Sequence, residues 1–282
     1  MLAQHGDEAR LLAGGQTLLA TLNMRLSEPA LLIDLQAVTE LKGISITDDV
    51  LRIGALVTHT EIENSSVIAL RAPLLAAAAP HIAHRAIRNA GTFGGSIAYG
   101  DPAAEWPACM LAMSGTVVVR SLNGTRRIAV DDFFTGLYTT DLAADEIIEA
   151  CDIALPAQAD PAQRFSFTEL ARRHGDYAIV GLAATATVRD QVVEQLRLAW
   201  IGVGSMPMRS VQCESALLGK PLNEQTLAQA VSTLRGELAP LADLTHSEAA
   251  KKQLACVLLK RALQGWMAVP AASRNDLIAS TA

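Results

Sequence analysis

The apolar positions change period along the chain, and each change marks an element. Ala9–Ala13 reads as a short strand running into the pair Gly14-Gly15, and Thr17–Leu26 as a helix opening at that turn. Leu31–Leu35 is a second short strand. Glu40–Thr47 and Val50–Leu56 alternate about Asp48-Asp49, which predicts a hairpin. Thr58–Ile62 reads as a short helix and Pro73–His84 as a longer, alanine-rich one. A second paired-glycine stretch, Thr92-Phe93-Gly94-Gly95-Ser96, follows Ile87. The spacing then predicts a helix over Asp101–Ser114, with Asp101 as its cap and Pro102 at the first position, where a missing N–H costs nothing. Thr116–Ser121 and Thr125–Val130 flank Leu122-Asn123-Gly124, a strong hairpin signal. Asp145–Leu155 reads as a strand ending at Pro156.

Pro156–Pro161, with two prolines and small polar residues, is the best linker candidate. Beyond it three strands are predicted, Arg164–Arg172, Ile179–Val188 and Val192–Val203. Three helices follow, near Ser210–Leu218, Glu224–Leu234 and Ser247–Met267. In the last of these, Leu254, Val257, Leu258, Arg261 and Ala262 give a mostly apolar stripe at three- and four-residue spacing. Strands followed by helices predict a small α+β unit. The expected division is 1–156, 162–270 and a loose polar tail over 271–282.

Composition narrows the class. The chain has 282 residues, 50% hydrophobic and 18% charged, with a net charge of −6. That is an ample core for two units and a poor match to general nucleic-acid binding. No apolar run approaches the roughly 20 residues that span a bilayer. The start, MLAQHGDEAR, lacks the basic and apolar regions of a signal peptide, so the cytoplasm is expected. The four cysteines, Cys109, Cys151, Cys213 and Cys256, are far apart, with no close pair of the kind metal and iron–sulfur sites use. They read as buried thiols.

The chemistry concentrates in the two glycine stretches. Paired glycines let a backbone approach a ligand with no Cβ in the way. Successive N–H groups in such a turn make a concavity for an anion, most often phosphate. Two such stretches suggest a diphosphate held from both sides. His59, His81 and His84 have ligand-like chemistry but no carboxylate partner close in sequence, and Trp106 and Trp200 read as core. Arg85 and Arg88 flank the second stretch, where they could steer a diphosphate or simply be solvated.

Beyond these patterns, particular runs carry a resemblance. LLAGGQTLLATLNMRL (Leu11–Leu26) and IRNAGTFGGSIAYGDPAAEWPA (Ile87–Ala108) resemble the two signature flavin loops of the FAD-binding medium subunits of molybdenum hydroxylases, the carbon monoxide dehydrogenase and xanthine dehydrogenase group. LRIGALVTHTEIENS, DDFFTG and DEIIEACDIALP support the resemblance within 51–156. FTELARRHGDYAIVGLAATATV (Phe167–Val188) is similar to the start of that family's C-terminal domain. The resemblance covers nearly the whole chain.

It implies an α+β, PCMH-type (vanillyl-alcohol-oxidase-like) FAD-binding fold of two subdomains, followed by a small C-terminal domain of a three-stranded sheet plus helices. It implies noncovalent FAD, with the diphosphate gripped by Ala13, Gly14, Gly15, Gln16 and Thr17 and by Thr92, Phe93, Gly94, Gly95 and Ser96. Glu105 matches an acidic position at the cofactor's sugar portion, and Tyr177 matches an aromatic beside the isoalloxazine. The implied partners are a small subunit with two [2Fe-2S] clusters and a large subunit with the molybdenum cofactor, as a dimer of heterotrimers. No catalytic acid or base is assigned to this chain.

Some positions depart from the family pattern. Gln16-Thr17 stands for a His-Ser or Gln-Ser pair, Phe93 for a smaller aliphatic residue, and Thr168 for a lysine found in some relatives. The family usually has a strand and helix before the first glycine loop, where about ten residues stand here, so an incomplete first subdomain or an upstream start is expected. Two other readings stay open at this point: a stand-alone flavin oxidase or reductase of the same fold, and a noncatalytic nucleotide-binding module.

Overall fold

The computed structural model describes residues 1–157 and 160–268; the tail predicted over 271–282 lies outside the described residues, as does part of the linker candidate. At the N-terminus Ala9–Leu12 pairs in parallel with Leu31–Asp34, and helix Leu18–Asn23 makes the crossover. Parallel neighbours need such a crossover, and this one starts at the first glycine stretch.

A five-stranded antiparallel sheet follows, in the order Ile44–Thr47, Val50–Gly54, Ile147–Ala154, Thr116–Ser121, Gly124–Ala129. The period-two pattern explains its two faces. Leu51, Ile53, Val117, Val119, Cys151 and Ile153 are fully buried. The opposite face carries an ionic lattice in which Arg52 reaches Glu149 at 2.6 Å and Asp152 at 3.1 Å, and Arg127 reaches Asp152 at 2.8 Å. The turns suit their residues: Asp48 and Asp49 both have positive φ, 50° and 58°, a conformation that Asp tolerates better than most side chains.

The second sheet runs Gln163–Leu170, Val180–Arg189, Val192–Ile201, with a short fourth strand, Met208–Arg209, extending the predicted three. One face, including Leu182, Leu198 and Trp200, packs under helices Val211–Leu217, Glu224–Glu237 and Glu248–Met267. The other face contributes Ala183, Ala199 and Ile201 to the core of the first part. Between them lies helix Glu105–Ala112, every residue of which is buried. A helix apolar on all sides is one packed on all sides. Polar groups fix this junction: Thr185 Oγ1 donates to Ala112 O at 2.6 Å, Arg197 Nε to Leu111 O at 2.7 Å, and Asp131 takes both Arg197 and Arg209. All four cysteines are buried.

Three expectations are corrected. The second glycine stretch is not a turn before a helix but the first turn of one, Phe93–Tyr99: Thr92 is its cap, accepting from the Gly95 amide at 3.2 Å, and Gly100 ends it at φ 64°. The following helix begins at Glu105, not Asp101. Asp101 instead accepts from the Ala103 amide at 2.8 Å, closing a local turn that competes with helix entry. The alanine-rich helix stops at Ala78 and tightens into a 3-10 turn over Ala79–His81, where Pro80 removes a donor.

Candidate functional site

The first glycine stretch leaves its strand at Leu12, turns at Gly15 (φ 69°) and enters the helix at Leu18. A Cβ on Gly14 would sit 2.1 Å from the Ala90 carbonyl oxygen. A Cβ on Gly95 would sit 3.7 Å from that of Ala13 and 2.7 Å from Thr92 Oγ1. The two stretches, some 75 residues apart in sequence, are therefore interlocked. Glycine is demanded at Gly14 by the other loop's backbone rather than by its own turn.

The second stretch is anchored from below. The amides of Phe93 and Gly94 donate to Val57 O at 2.8 Å and Ala55 O at 2.9 Å, and Ser96 N donates to Thr92 O at 3.0 Å. These amides are engaged within the protein. The polar side chains of this stretch are the buried Thr92 hydroxyl, which accepts from Gly95 and keeps its own proton to donate, and the half-buried Ser96 hydroxyl. Phe93, expected at the cofactor, has its ring fully buried 5.3 Å from Trp106, so its side chain faces the core. Gln16 folds onto its own loop, donating to Gly14 O at 3.0 Å, and Thr17 makes no side-chain cap bond. Arg88 is spent on Glu63 at 2.9 Å and on the carbonyls of Ile82 and Ala83, so it does not steer an anion.

Glu105 opens the buried helix. Burial, then Glu169, push its carboxyl up to about 8, with Asp101 adding to the rise and its own amide opposing it. Near neutrality it is a carboxylic acid, able both to donate and to accept. On the strand and loop that lead to Tyr177, three buried polar atoms lack a hydrogen-bond partner: Thr168 Oγ1, Glu169 Oε2 and Asp176 Oδ2, the last 3.8 Å from Arg172 Nε. Thr168 and Glu169 are neighbours on one strand and so face opposite sides of the sheet; Glu169, whose charge acts on Glu105, is the one on the side of that helix. Tyr177 itself is 70% exposed. Desolvation, then Asp101, Tyr99, Tyr138 and Glu105, still push its phenol up to about 12. The structure thus brings Tyr177 and Glu105 to one neighbourhood. Gly175 (φ 86°) packs the same loop against His84, the cap of the short helix Arg85–Arg88 that precedes the second stretch, since a Cβ there would meet His84 Cε1 at 2.4 Å.

Sequence named His59, His81 and Trp106 but not their partners. His59 is buried beneath the second stretch: its amide donates to Gly91 O at 3.0 Å, and its Nδ1 accepts from the Trp106 indole at 2.9 Å. Burial, then Arg88, pull its imidazole down to about 4, which keeps it neutral and able to accept. His81 reaches Glu169 at 3.4 Å. Both partners lie far away in sequence, so spacing carries no signal for them.

The interlocked glycine loops, the neutral buried Glu105 and the exposed tyrosine fit a dinucleotide flavin. The comparisons agree. A family model for the FAD binding domain in molybdopterin dehydrogenase matches residues 1–158, and one for the CO dehydrogenase flavoprotein C-terminal domain matches 165–265. The chain is 37% identical to the nicotine 6-hydroxylase medium subunit of Paenarthrobacter nicotinovorans, over 91% of this chain and 89% of that one. A solved structure of carbon monoxide dehydrogenase from Hydrogenophaga pseudoflava matches with TM-score 0.91 at 33% identity, covering 95% of this chain and 92% of that one. Quinoline 2-oxidoreductase from Pseudomonas putida 86 matches with TM-score 0.87 at 36% identity, covering 94% and 93%. The chain belongs to the FAD-binding medium subunits of the molybdenum hydroxylases, the oxidoreductase components of the carbon monoxide and xanthine dehydrogenase group.

Proposed function

We propose that this chain passes electrons through FAD within a molybdenum hydroxylase complex. A small partner subunit with two [2Fe-2S] clusters delivers them from a large subunit whose molybdenum cofactor oxidises the substrate. An external acceptor removes them. The assembly is a cytoplasmic dimer of heterotrimers; no described helix is long and apolar enough to cross a membrane. The observation that carries this reading is the interlock of Gly14 with Ala90 and Gly91, which builds one cradle from two distant stretches.

When bound, FAD supplies the redox chemistry, and the chain supplies binding and electrostatics. Ala13, Gly14, Gly15, Gln16 and Thr17 give a close backbone approach for the diphosphate. Thr92 and Ser96 add hydroxyl donors, and Gly94 and Gly95 keep that face free of side chains. Glu105, kept neutral, adds a donor that an ionised carboxylate could not give. Tyr177, on its exposed loop, shields the reactive ring from solvent. The part over 1–156 holds the cofactor, and the part over 162–270 brings Tyr177 to it.

Two measurements test this. Neither glycine stretch carries a His or Cys able to bond a flavin, so acid precipitation of the purified protein should leave the yellow colour in the supernatant; a yellow pellet refutes noncovalent binding. Tyr177→Ala should change the rate at which the reduced flavin is reoxidised while FAD affinity stays near that of the parent. An unchanged rate with much weaker FAD binding would reverse its assignment.

A further inference from the structure

All three tyrosines of the chain gather at one place. Tyr99 ends the helix that the second glycine stretch begins, and its ring centroid lies 5.0 Å from that of Tyr138, tilted by 48°. That is within the range of a favourable aromatic pair. Tyr177 lies near both, and Asp101 acts on all three phenols. Tyr138 and Tyr177 are 52% and 70% exposed. Large rings left open beside a cofactor site are a surface still to be covered.

Tyr138 stands out for a second, independent reason. It occupies the second position of a two-residue turn, Leu137-Tyr138, between Phe134–Gly136 and Thr139–Thr140. Its φ is 52°, and it is the one aromatic residue with positive φ among the described residues. Such a position calls for Gly or Asn, and a bulky side chain there is strained. The hairpins at Asp48-Asp49 and Asp190-Gln191 meet the same demand with polar residues. A strained aromatic ring held in the open is not explained by the turn, and retained strain of this kind points to a use for the side chain.

We propose that Tyr99 and Tyr138, with Tyr177 beside them, form a stacking platform for the electron acceptor, and that the acceptor is a neutral planar aromatic molecule of the quinone class. This rests on the reading that the chain carries FAD and must discharge it. A quinone has faces for the tilted rings to stack on, and the buried Asp101, whose charge reaches all three phenols, disfavours an anionic head. Two electrons and two protons pass from the reduced flavin to the quinone, which leaves as hydroquinone, so the exchange balances without another reactant.

The test uses the FAD-loaded wild-type chain and Tyr138→Asn, with Tyr138→Phe as the ring-keeping variant. Each is reduced with dithionite and reoxidised by menadione, a neutral naphthoquinone, or by ferricyanide, a small non-planar anion. FAD content, melting temperature and binding of the redox-inert planar probe acridone are measured alongside. Tyr138→Asn relieves the strained turn, so its melting temperature should be unchanged or higher, with FAD content unchanged. Its half-saturating menadione concentration should rise by about tenfold, the loss expected for one good stacking contact. Acridone binding should weaken in parallel, ferricyanide rates should hold, and Tyr138→Phe should behave as wild type. Unchanged menadione saturation in Tyr138→Asn overturns the proposal, as does a fall in melting temperature with acceptor kinetics intact, which would make the ring a packing element. Loss of FAD from Tyr138→Asn overturns it too, assigning the ring to the cofactor. A wild-type chain that takes up no FAD would instead sink the reading of function on which this rests.

Discussion

Gly14→Ala is expected to yield a folded protein that binds FAD far more weakly than the parent. The added methyl would lie 2.1 Å from the Ala90 oxygen and 2.8 Å from Gly91 Cα, distances at which backbone must move. Neither loop can yield alone. Residues before Ala90 are tied down by Arg88, and Gly91 is backed by His59, whose Nε2 lies 2.7 Å from where a Gly91 Cβ would be. Overpacking of this kind costs about 1–3 kcal/mol, and carried into binding it weakens affinity roughly tenfold to hundredfold. Gly95→Asp should act at the same place by another route, crowding Thr92 Oγ1 at 2.7 Å and setting a carboxylate against the diphosphate. The helices packed on the second sheet have their own core and should keep their fold. An FAD titration measures the effect; an affinity in Gly14→Ala equal to the parent's would refute the interlock.

The second large effect belongs to Glu105 and is read through pH. Its carboxyl is raised in the folded chain from the usual 4.5 to about 8, chiefly by burial and then by Glu169. Below about pH 4.5 the folded and unfolded chains are both protonated there, and the contribution to stability is fully present. Between 4.5 and 8 the unfolded chain releases the proton while the folded one keeps it, so stability falls as pH rises. Above 8 the folded chain ionises too, and the loss is complete. Each pH unit within this window removes about 1.4 kcal/mol, so the fall across it is roughly 3–5 kcal/mol in the FAD-free chain. Glu105→Gln keeps a neutral donor and acceptor of the same shape, so it should remove that slope and be the more stable protein at pH 8. Urea unfolding of both proteins at pH 5 and pH 8 decides the matter. Equal pH dependence in the two would show that Glu105 is ionised in the fold.

How much of this was legible in the sequence varies element by element. The hairpin at Asp48-Asp49 was legible because its turn chemistry and flanking alternation agree. The last helix was legible because a long stripe of Leu, Val and Ala has one period only. The helix at Phe93–Tyr99 was not, because two adjacent glycines argue for a turn; the capping bond from Thr92 and the anchoring of Phe93 and Gly94 to Val57 and Ala55 override that preference. The start of the next helix was misplaced for a related reason. Asp-Pro is a good helix opening, but Asp101 makes a more local bond to Ala103.

The candidate site divides in the same way. Sequence alone singled out the two glycine stretches as candidates for a large anionic cofactor, and motif resemblance added Glu105 and Tyr177 as further candidates. The family was legible from the resemblance of particular runs, since motif residues and the order of elements are local properties that a linear reading captures. Only the tertiary structure decided that Gly14 is required by the other loop rather than by its own, that Phe93 turns inward, and that His59 and Trp106 support Gly91 from beneath. It alone gathered three tyrosines and raised the Glu105 carboxyl. The physical reason is common to all of these: steric demand, desolvation and electrostatic coupling depend on which groups are neighbours in space, and residues scores of positions apart become neighbours only when the chain has closed around its two sheets.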